Sequence, residues 1–124
     1  MGKILRAHHI SFKNAFAGLF WAMRTQPNFQ IHFICSIAAL WLGMYLKITR
    51  TEMLLIVFTI LLGLAGEMVN TAIEAVTDLV TREWRQEAKI AKDVSAGMML
   101  MIALGALFIA GYIFVPYIFP GRFF

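Results

Sequence analysis

The chain has 124 residues, of which 60% are hydrophobic and only 15% charged, whereas soluble domains average about 45–50% apolar and about 25% charged residues. With a mean hydropathy of +0.75, this balance excludes an ordinary soluble globule and leads to the expectation of one small integral membrane domain. A net charge of +4 would point a soluble chain toward nucleic acid, but here the bases border apolar runs, where anionic headgroups and membrane orientation account for them.

In chain order, Phe12, Phe16, Leu19, Phe20 and Met23 recur at helical spacing, opposed by Lys13, Asn14 and Arg24. That pattern predicts an amphipathic helix over about residues 8–25, lying on the inner leaflet. Pro27 and Asn28 favour a break after it over a simple extension of the first span. A charge-free run then predicts a first transmembrane helix over about 29–46. Its one cysteine, Cys35, excludes an internal disulfide and a cysteine metal site, and packing is its expected role.

Residues 47–52 read as a short polar turn. The next charge-free run, residues 53–66, is too short to cross a bilayer, which takes about 20 residues. The second span must therefore continue through GEMVNTAIEAVTDLV and cover about 53–80. Residues 81–92 form a charged connection. A third span follows over about 93–119, with Pro116 and Pro120 fraying its far end. No cleavable signal peptide is expected, because no short apolar core with a small-residue cleavage site follows the basic N-terminus.

Orientation follows from the bases. Lys3, Arg6, Lys13 and Arg24 precede the first span, and Arg82, Arg85, Lys89 and Lys92 join the second to the third. Only Lys47, Arg50 and Arg122 fall on the other side. The positive-inside rule therefore predicts a cytoplasmic N-terminus and an external C-terminus.

Chemistry concentrates on the second span. At about 100° per residue, Glu67, Asn70, Thr71, Glu74, Asp78 and Thr81 fall within about one third of the helix circumference. A carboxylate facing acyl chains at mid-membrane costs at least about 2.5–3.5 kcal/mol, so this stripe must face protein, water or ligand. Glu67 lies about 21 Å along the span and Glu74 about 31 Å, close to the cytoplasmic edge of a hydrocarbon core about 30 Å thick. The acids thus descend from inside the membrane to the water, where a lipid hydroxyl and a soluble cosubstrate would meet. Beyond them, Glu83, Trp84, Arg85, Lys89, Lys92 and Asp93 offer cations for phosphate oxygens and carboxylates for Mg²⁺. An embedded glutamate could take a proton from an alcohol. Phosphoryl transfer at the inner interface fits this arrangement. A proton-coupled transporter, a channel and a structural subunit remain open on residue chemistry alone.

The run EMVNTAIEAVTD at residues 67–78, followed by AKIAKD at 88–93 and preceded by SFK at 11–13 and NFQIH at 28–32, resembles the prokaryotic diacylglycerol kinase family, which includes the undecaprenol kinases. The resemblance implies a homotrimer with a surface helix and three transmembrane helices per subunit. It implies transfer of the γ-phosphate of ATP, with Mg²⁺, to a lipid hydroxyl at active sites between protomers. It also implies no P-loop, and the chain has no G-x-x-x-x-G-K-[ST]. Carried over by position, Glu67 would be the catalytic base and Asn70 would orient the reacting groups. Glu74 would hold Mg²⁺; Asn14, Glu83, Trp84, Arg85, Lys92 and Asp93 would join it in contacting the nucleotide. Phe29 and Ala96 would join Glu67 and Asn70 in contacting the lipid. Gln26 stands where the family often has a second metal-binding glutamate, and an amide oxygen can reach Mg²⁺ but without the charge. Arg6, with His8 and His9 after it, only approximates an arginine expected near the start of the surface helix. His8 and His9 diverge on a helix and read as solvated, and His32 as a helix-packing hydrogen-bond group. Undecaprenol is the favoured acceptor on likeness, with diacylglycerol the other.

Overall fold

The computed structural model describes residues 2–120, with side chains from Ser11 onward; the side chains of Arg6, His8, His9 and Arg122 lie outside the described residues. Four helices, α1 (Gly2–Thr25), α2 (Pro27–Leu46), α3 (Arg50–Val80) and α4 (Gln86–Ile118), account for nearly all of it, with no strand among the described residues. The last three are long and apolar enough to cross a membrane. The protein is thus an all-α membrane protein.

Each boundary has a local cause. Gln26 alone separates α1 from α2, in extended backbone with φ −105° and ψ 105°. Pro27 then occupies the first helical position, where its missing N–H costs nothing. A bond from Gln30 Nε2 to the Met23 carbonyl, 3.0 Å, ties the two helices across this joint. Thr49 caps α3 through a reciprocal box: its hydroxyl accepts the Glu52 N–H at 3.3 Å, and its own N–H donates to Glu52 Oε2 at 2.7 Å. Tyr117 of α4 donates to the same carboxylate oxygen at 2.8 Å, so one acid closes the end of α3 and anchors α4 to it. α4 begins at Gln86, ahead of the apolar span that starts near 93, because Gln86–Lys92 contains strong helix formers and no breaker. At the other end α4 runs through Pro116 and stops two residues later at Ile118.

α3 is the central element. It packs most extensively on α4 and next on α2, while α2 and α4 barely meet. Near its N-terminal end, Ile56, Ile113 and Phe114 form a buried apolar cluster, with Leu40, Leu46 and Ile109 packed around it. Most other large apolar groups are exposed, among them Leu54, Phe58, Leu61, Leu100, Leu107 and Phe108. In water that surface would be an aggregation liability; in a bilayer it is the solvent-facing side. Along α1, residues 11–20 are all exposed and Ala22 is buried, so this helix hangs from the bundle by its last turn.

Toward the C-terminal half of α3 the seam with α4 tightens at Gly66. A Cβ there would stand 2.6 Å from Ile102 Cδ1 and 3.2 Å from Met99 Sδ. Both are ends of flexible side chains that can turn aside. Gly66→Ala is therefore expected to keep stability within about 1 kcal/mol of the parent, since alanine also favours the helix. Gly66→Leu should cost about 1–3 kcal/mol by overpacking the seam. Thermal unfolding in detergent checks this; equal melting for the two variants would show that the seam is loose. At the other turn, Lys47 caps α2 in the left-handed region at φ 54°. Relief of that conformation by Lys47→Gly should raise stability by about 1 kcal/mol in the same assay.

Candidate active site

Three polar side chains are buried among the described residues: Glu67 at 3% exposure, Asn70 at 5% and Ser95 at 3%. Asn70 and Ser95 meet at the α3–α4 seam just past Gly66, where the glycine lets α4 approach closely. The Ser95 hydroxyl donates to Asn70 Oδ1. Asn70 Nδ2 in turn donates to Glu74 Oε1 at 3.0 Å. One relay therefore runs from a buried serine on α4, through a buried amide on α3, to an exposed carboxylate one turn nearer the helix end. Asn28 of α2 reaches the Glu67 carboxylate, and His32 and Glu74 are close enough to influence it. Glu67 is thus buried on α3 beside the first turns of α2.

The acidic stripe of α3 divides along its length. Glu67 and Asn70 are buried, whereas Glu74 and Asp78 are exposed. Asp78, near the C-terminal end of α3, is paired with Lys92 in the first turns of α4. Lys89 pairs with Asp93 one turn apart on α4. On the connecting loop, Arg85 contacts Glu83 at 3.2 Å, and Thr81 Oγ1 accepts the Glu83 N–H at 3.2 Å to shape the turn. Trp84 stands free of the bundle at 78% exposure. These exposed ion pairs contribute little to stability, typically about 0–1 kcal/mol each, so phosphate could displace their partners at small cost. A cleft of about 490 Å³ opens beside this loop, with Arg85 and Glu87 among mostly apolar walls.

The remaining sequence-derived candidates are distributed more widely. Phe29 is 1% exposed and sits in the packed interior of the bundle, while Ala96, next to Ser95, is exposed. Asn14 is exposed on α1. Gln26 serves as the residue before α2 and donates through Nε2 to Thr25 Oγ1 at 3.3 Å. The geometry brings Glu67, Asn70 and Glu74 into one cluster and leaves Asn14, Gln26 and the loop residues outside it. Ser95 is the residue that sequence reasoning passed over. Its signal was present, as a lone hydroxyl two positions into a charge-free span, where polar groups are costly unless they have a task.

Oxygen donors dominate the cluster: the Glu67 and Glu74 carboxylates, the Asn70 amide, the Ser95 hydroxyl and, nearby, Asp78. No group of three or more His, Cys, Asp or Glu residues gathers among the described residues, so no closed protein cage for a transition metal is found there. Mg²⁺ has different needs, since it binds through one or two carboxylates and takes water and substrate phosphates for the rest. Exposed Glu74, beside the amide of Asn70, suits it.

Comparison with known proteins follows the same lines. The profile of the prokaryotic diacylglycerol kinase family matches residues 13–114. A protein named diacylglycerol kinase from Synechocystis sp. is 35% identical over 108 residues, 86% of this chain and 62% of its own length. A protein named undecaprenol kinase from Bacillus subtilis is 36% identical over 107 residues, 86% of each chain. The chain thus spans under two thirds of the cyanobacterial relative and most of the bacillar one. With the match covering α2, α3, all but the last four residues of α4 and the whole buried polar cluster, the chain belongs to the prokaryotic diacylglycerol kinase family.

Proposed function

We propose that this protein is a membrane lipid kinase, transferring the γ-phosphate of ATP to the hydroxyl of a membrane alcohol, undecaprenol or diacylglycerol, at the cytoplasmic face. The observation that carries the reading is the depth gradient on α3: a buried carboxylate, Glu67, linked by short spacing to an exposed one, Glu74, with phosphate-sized cations beyond. A lipid alcohol can reach the first from the membrane and a nucleotide the second from water. The names borne by the relatives support this acceptor class.

In this mechanism Glu67 takes the proton of the lipid hydroxyl as its oxygen bonds to the γ-phosphorus. The bridging bond to the β-phosphate breaks and ADP leaves. Such transfers are catalysed mainly by positioning and by neutralising charge on the moving phosphoryl group. Ser95 holds Asn70, and Asn70 holds Glu74, so the amide fixes the spacing between the base and the phosphate site. Glu74 would hold Mg²⁺, with Gln26 as a second oxygen donor, and the ion would neutralise the phosphates. Lys92 and Arg85 would exchange Asp78 and Glu83 for phosphate oxygens, while Asn14, Trp84 and Asp93 would line the nucleotide's approach. One protomer leaves Glu74 open on one side, and a homotrimer would complete the site with a neighbouring copy. The charge distribution favours a cytoplasmic N-terminus, which puts this end of α3 beside cellular ATP.

Turnover of ATP by purified protein in detergent, dependent on added long-chain alcohol, tests the reading; a transporter or channel would consume none. Glu67→Gln should lower kcat by about 10²–10⁴ while nucleotide binding changes little. Glu74→Gln should instead raise the KM for Mg·ATP by about tenfold or more. Normal kinetics in both variants would reverse the assignment. Ser95→Ala strands a buried amide oxygen, a loss of about 1–3 kcal/mol, and should cut kcat/KM by about tenfold or more. Ser95→Thr, which keeps the donor, should recover part of it; equal loss in both would assign Ser95 to packing alone.

A further inference from the structure

Glu67 is 3% exposed, and three side chains act on its carboxylate: Asn28 through a hydrogen bond, His32 and Glu74 through charge. Asn28 and His32 stand four residues apart in α2 and so lie on one face, a turn from each other. Gly63 and Glu67 have the same spacing in α3. The two pairs face each other in antiparallel fashion, as the short turn between α2 and α3 requires. His32 Nδ1 stands 3.7 Å from where Gly63 would carry a Cβ, so the ring lies against the bare turn of α3. Asn28, one turn back along α2, meets Glu67.

The direction of helical side chains decides which group of α3 the ring meets. Each Cα–Cβ bond tilts toward the helix N-terminus, so a residue covers the turn before its own. Glu67 therefore extends back over Gly63, where His32 is, and with no side chain at Gly63 that turn is open. Thr59, one turn on the other side of Gly63, leans the opposite way and donates to the Leu55 carbonyl at 2.8 Å. Ser36, one turn along α2, donates to the His32 carbonyl at 2.7 Å. From α4 the same space is bordered by Ile102, Ala103 and Ala106, whose side chains have no polar atom. A half-buried imidazole needs a polar partner. Among the described residues of α3 and α4 around it, the Glu67 carboxylate is the acceptor not already engaged within its own helix.

We propose that His32 is a positioning residue for Glu67: its Nδ1–H donates to one carboxylate oxygen and, with Asn28, holds the group in one orientation. The inference rests on the kinase reading above. An ionised carboxylate has about four acceptor positions on its two oxygens, so two donors from α2 leave a lone pair free for the proton of the alcohol. A general base must meet that proton at hydrogen-bond distance, and a glutamate side chain free to change rotamer would meet it only part of the time. The donor is present whether or not the ring carries its second proton. The division of labour inverts that of the Ser-His-Asp triad, where a carboxylate orients an imidazole base.

The test uses the full chain reconstituted in lipid nanodiscs, with undecaprenol and dioleoylglycerol as acceptors. His32→Leu removes the donor and keeps a side chain of similar reach. With the alcohol that the parent phosphorylates, kcat should fall by about 10–100-fold, while the KM for Mg·ATP stays within about twofold. His32→Asn puts an amide N–H close to the place of Nδ1 and should restore kcat to within about threefold of the parent. Without Glu67 the ring has nothing to hold. Adding His32→Leu to Glu67→Gln should therefore change kcat by less than about twofold, where independent effects would multiply. Apart from turnover, the ring nitrogens report the contact by ¹⁵N magnetic resonance. Of the three histidines, the one whose signals vanish in His32→Asn should also be the one whose signals shift in Glu67→Gln. Equal losses in His32→Leu and His32→Asn, multiplying effects of His32→Leu and Glu67→Gln, or ring signals unmoved by Glu67→Gln would each overturn the proposal. If His32→Leu does not fold, recovery in His32→Asn and the ring signals decide it. If no alcohol is phosphorylated, the kinase reading fails instead, and the ring signals still show whether His32 holds Glu67.

Discussion

A single hydrogen-bonded relay between two membrane helices, Ser95 to Asn70 to Glu74, sets the terms for everything around it. Within a bilayer an unpaired amide or hydroxyl has no water to fall back on, so its partners must come from the protein. Asn70 has an acceptor oxygen and an amide nitrogen with two hydrogens, and the relay gives each of these atoms one partner. No buried side-chain nitrogen or oxygen among the described residues lacks a partner. The relay in turn fixes the distance between α3 and α4, because a serine side chain is short. Gly66 belongs to the same arrangement: a large side chain there would meet Ile102 and Met99 and push α4 away from the line on which Ser95 reaches Asn70.

The opposite end of the α3–α4 pair is closed by different chemistry to the same effect. There Glu52 accepts from the Thr49 backbone, from its hydroxyl and from Tyr117, beside the apolar cluster of Ile56, Ile113 and Phe114. Two helices of about 45 Å each are thus pinned near both ends, and the length between is free to carry small side chains. Small residues in that middle stretch (Gly63, Ala103, Ala106) create open volume where a soluble protein would have filled its core. The groove between α2, α3 and α4 that Gly63, Ala103 and Ala106 help to line is therefore a consequence of how the pair is held, with polar pins toward the ends and alanine and glycine between them.

Much of this was legible in the sequence. Charge-free runs located the spans, and Pro27 located the break that separates α1 from α2. The three-to-four-residue spacing of Glu67, Asn70, Glu74 and Asp78 put them on one face. What spacing could not supply was which part of that face would be buried. The answer depends on Ser95, 25 residues away on another helix, and on Asn28 approaching from a third. The pairing of Lys92 with Asp78 is hidden for the same reason, since it joins positions 14 residues apart across a loop. The Thr49–Glu52 cap was a readable signal of the S/T-x-x-E kind, yet within a stretch recognised only as a polar turn. Short-range chemistry is written in the chain; the partner of a buried polar group is written in the packing.

The division of the stripe also bears on why catalysis would need both burial and exposure on one helix. A carboxylate in water at this depth would be solvated and sluggish toward an alcohol, and one buried without partners would not be tolerated at all. Glu67 occupies the middle ground, buried yet reached by Asn28 and influenced by His32 and Glu74. Glu74, only two turns along, is already exposed. Over about 10 Å of helix the environment changes from one suited to an apolar alcohol to one suited to a polyanion. On the kinase reading proposed above, a helix crossing the interface would provide this gradient with no loop or lid, because the bilayer itself would supply the change in dielectric. The protein has only to put the right residue at each depth, and helical periodicity keeps them on one side.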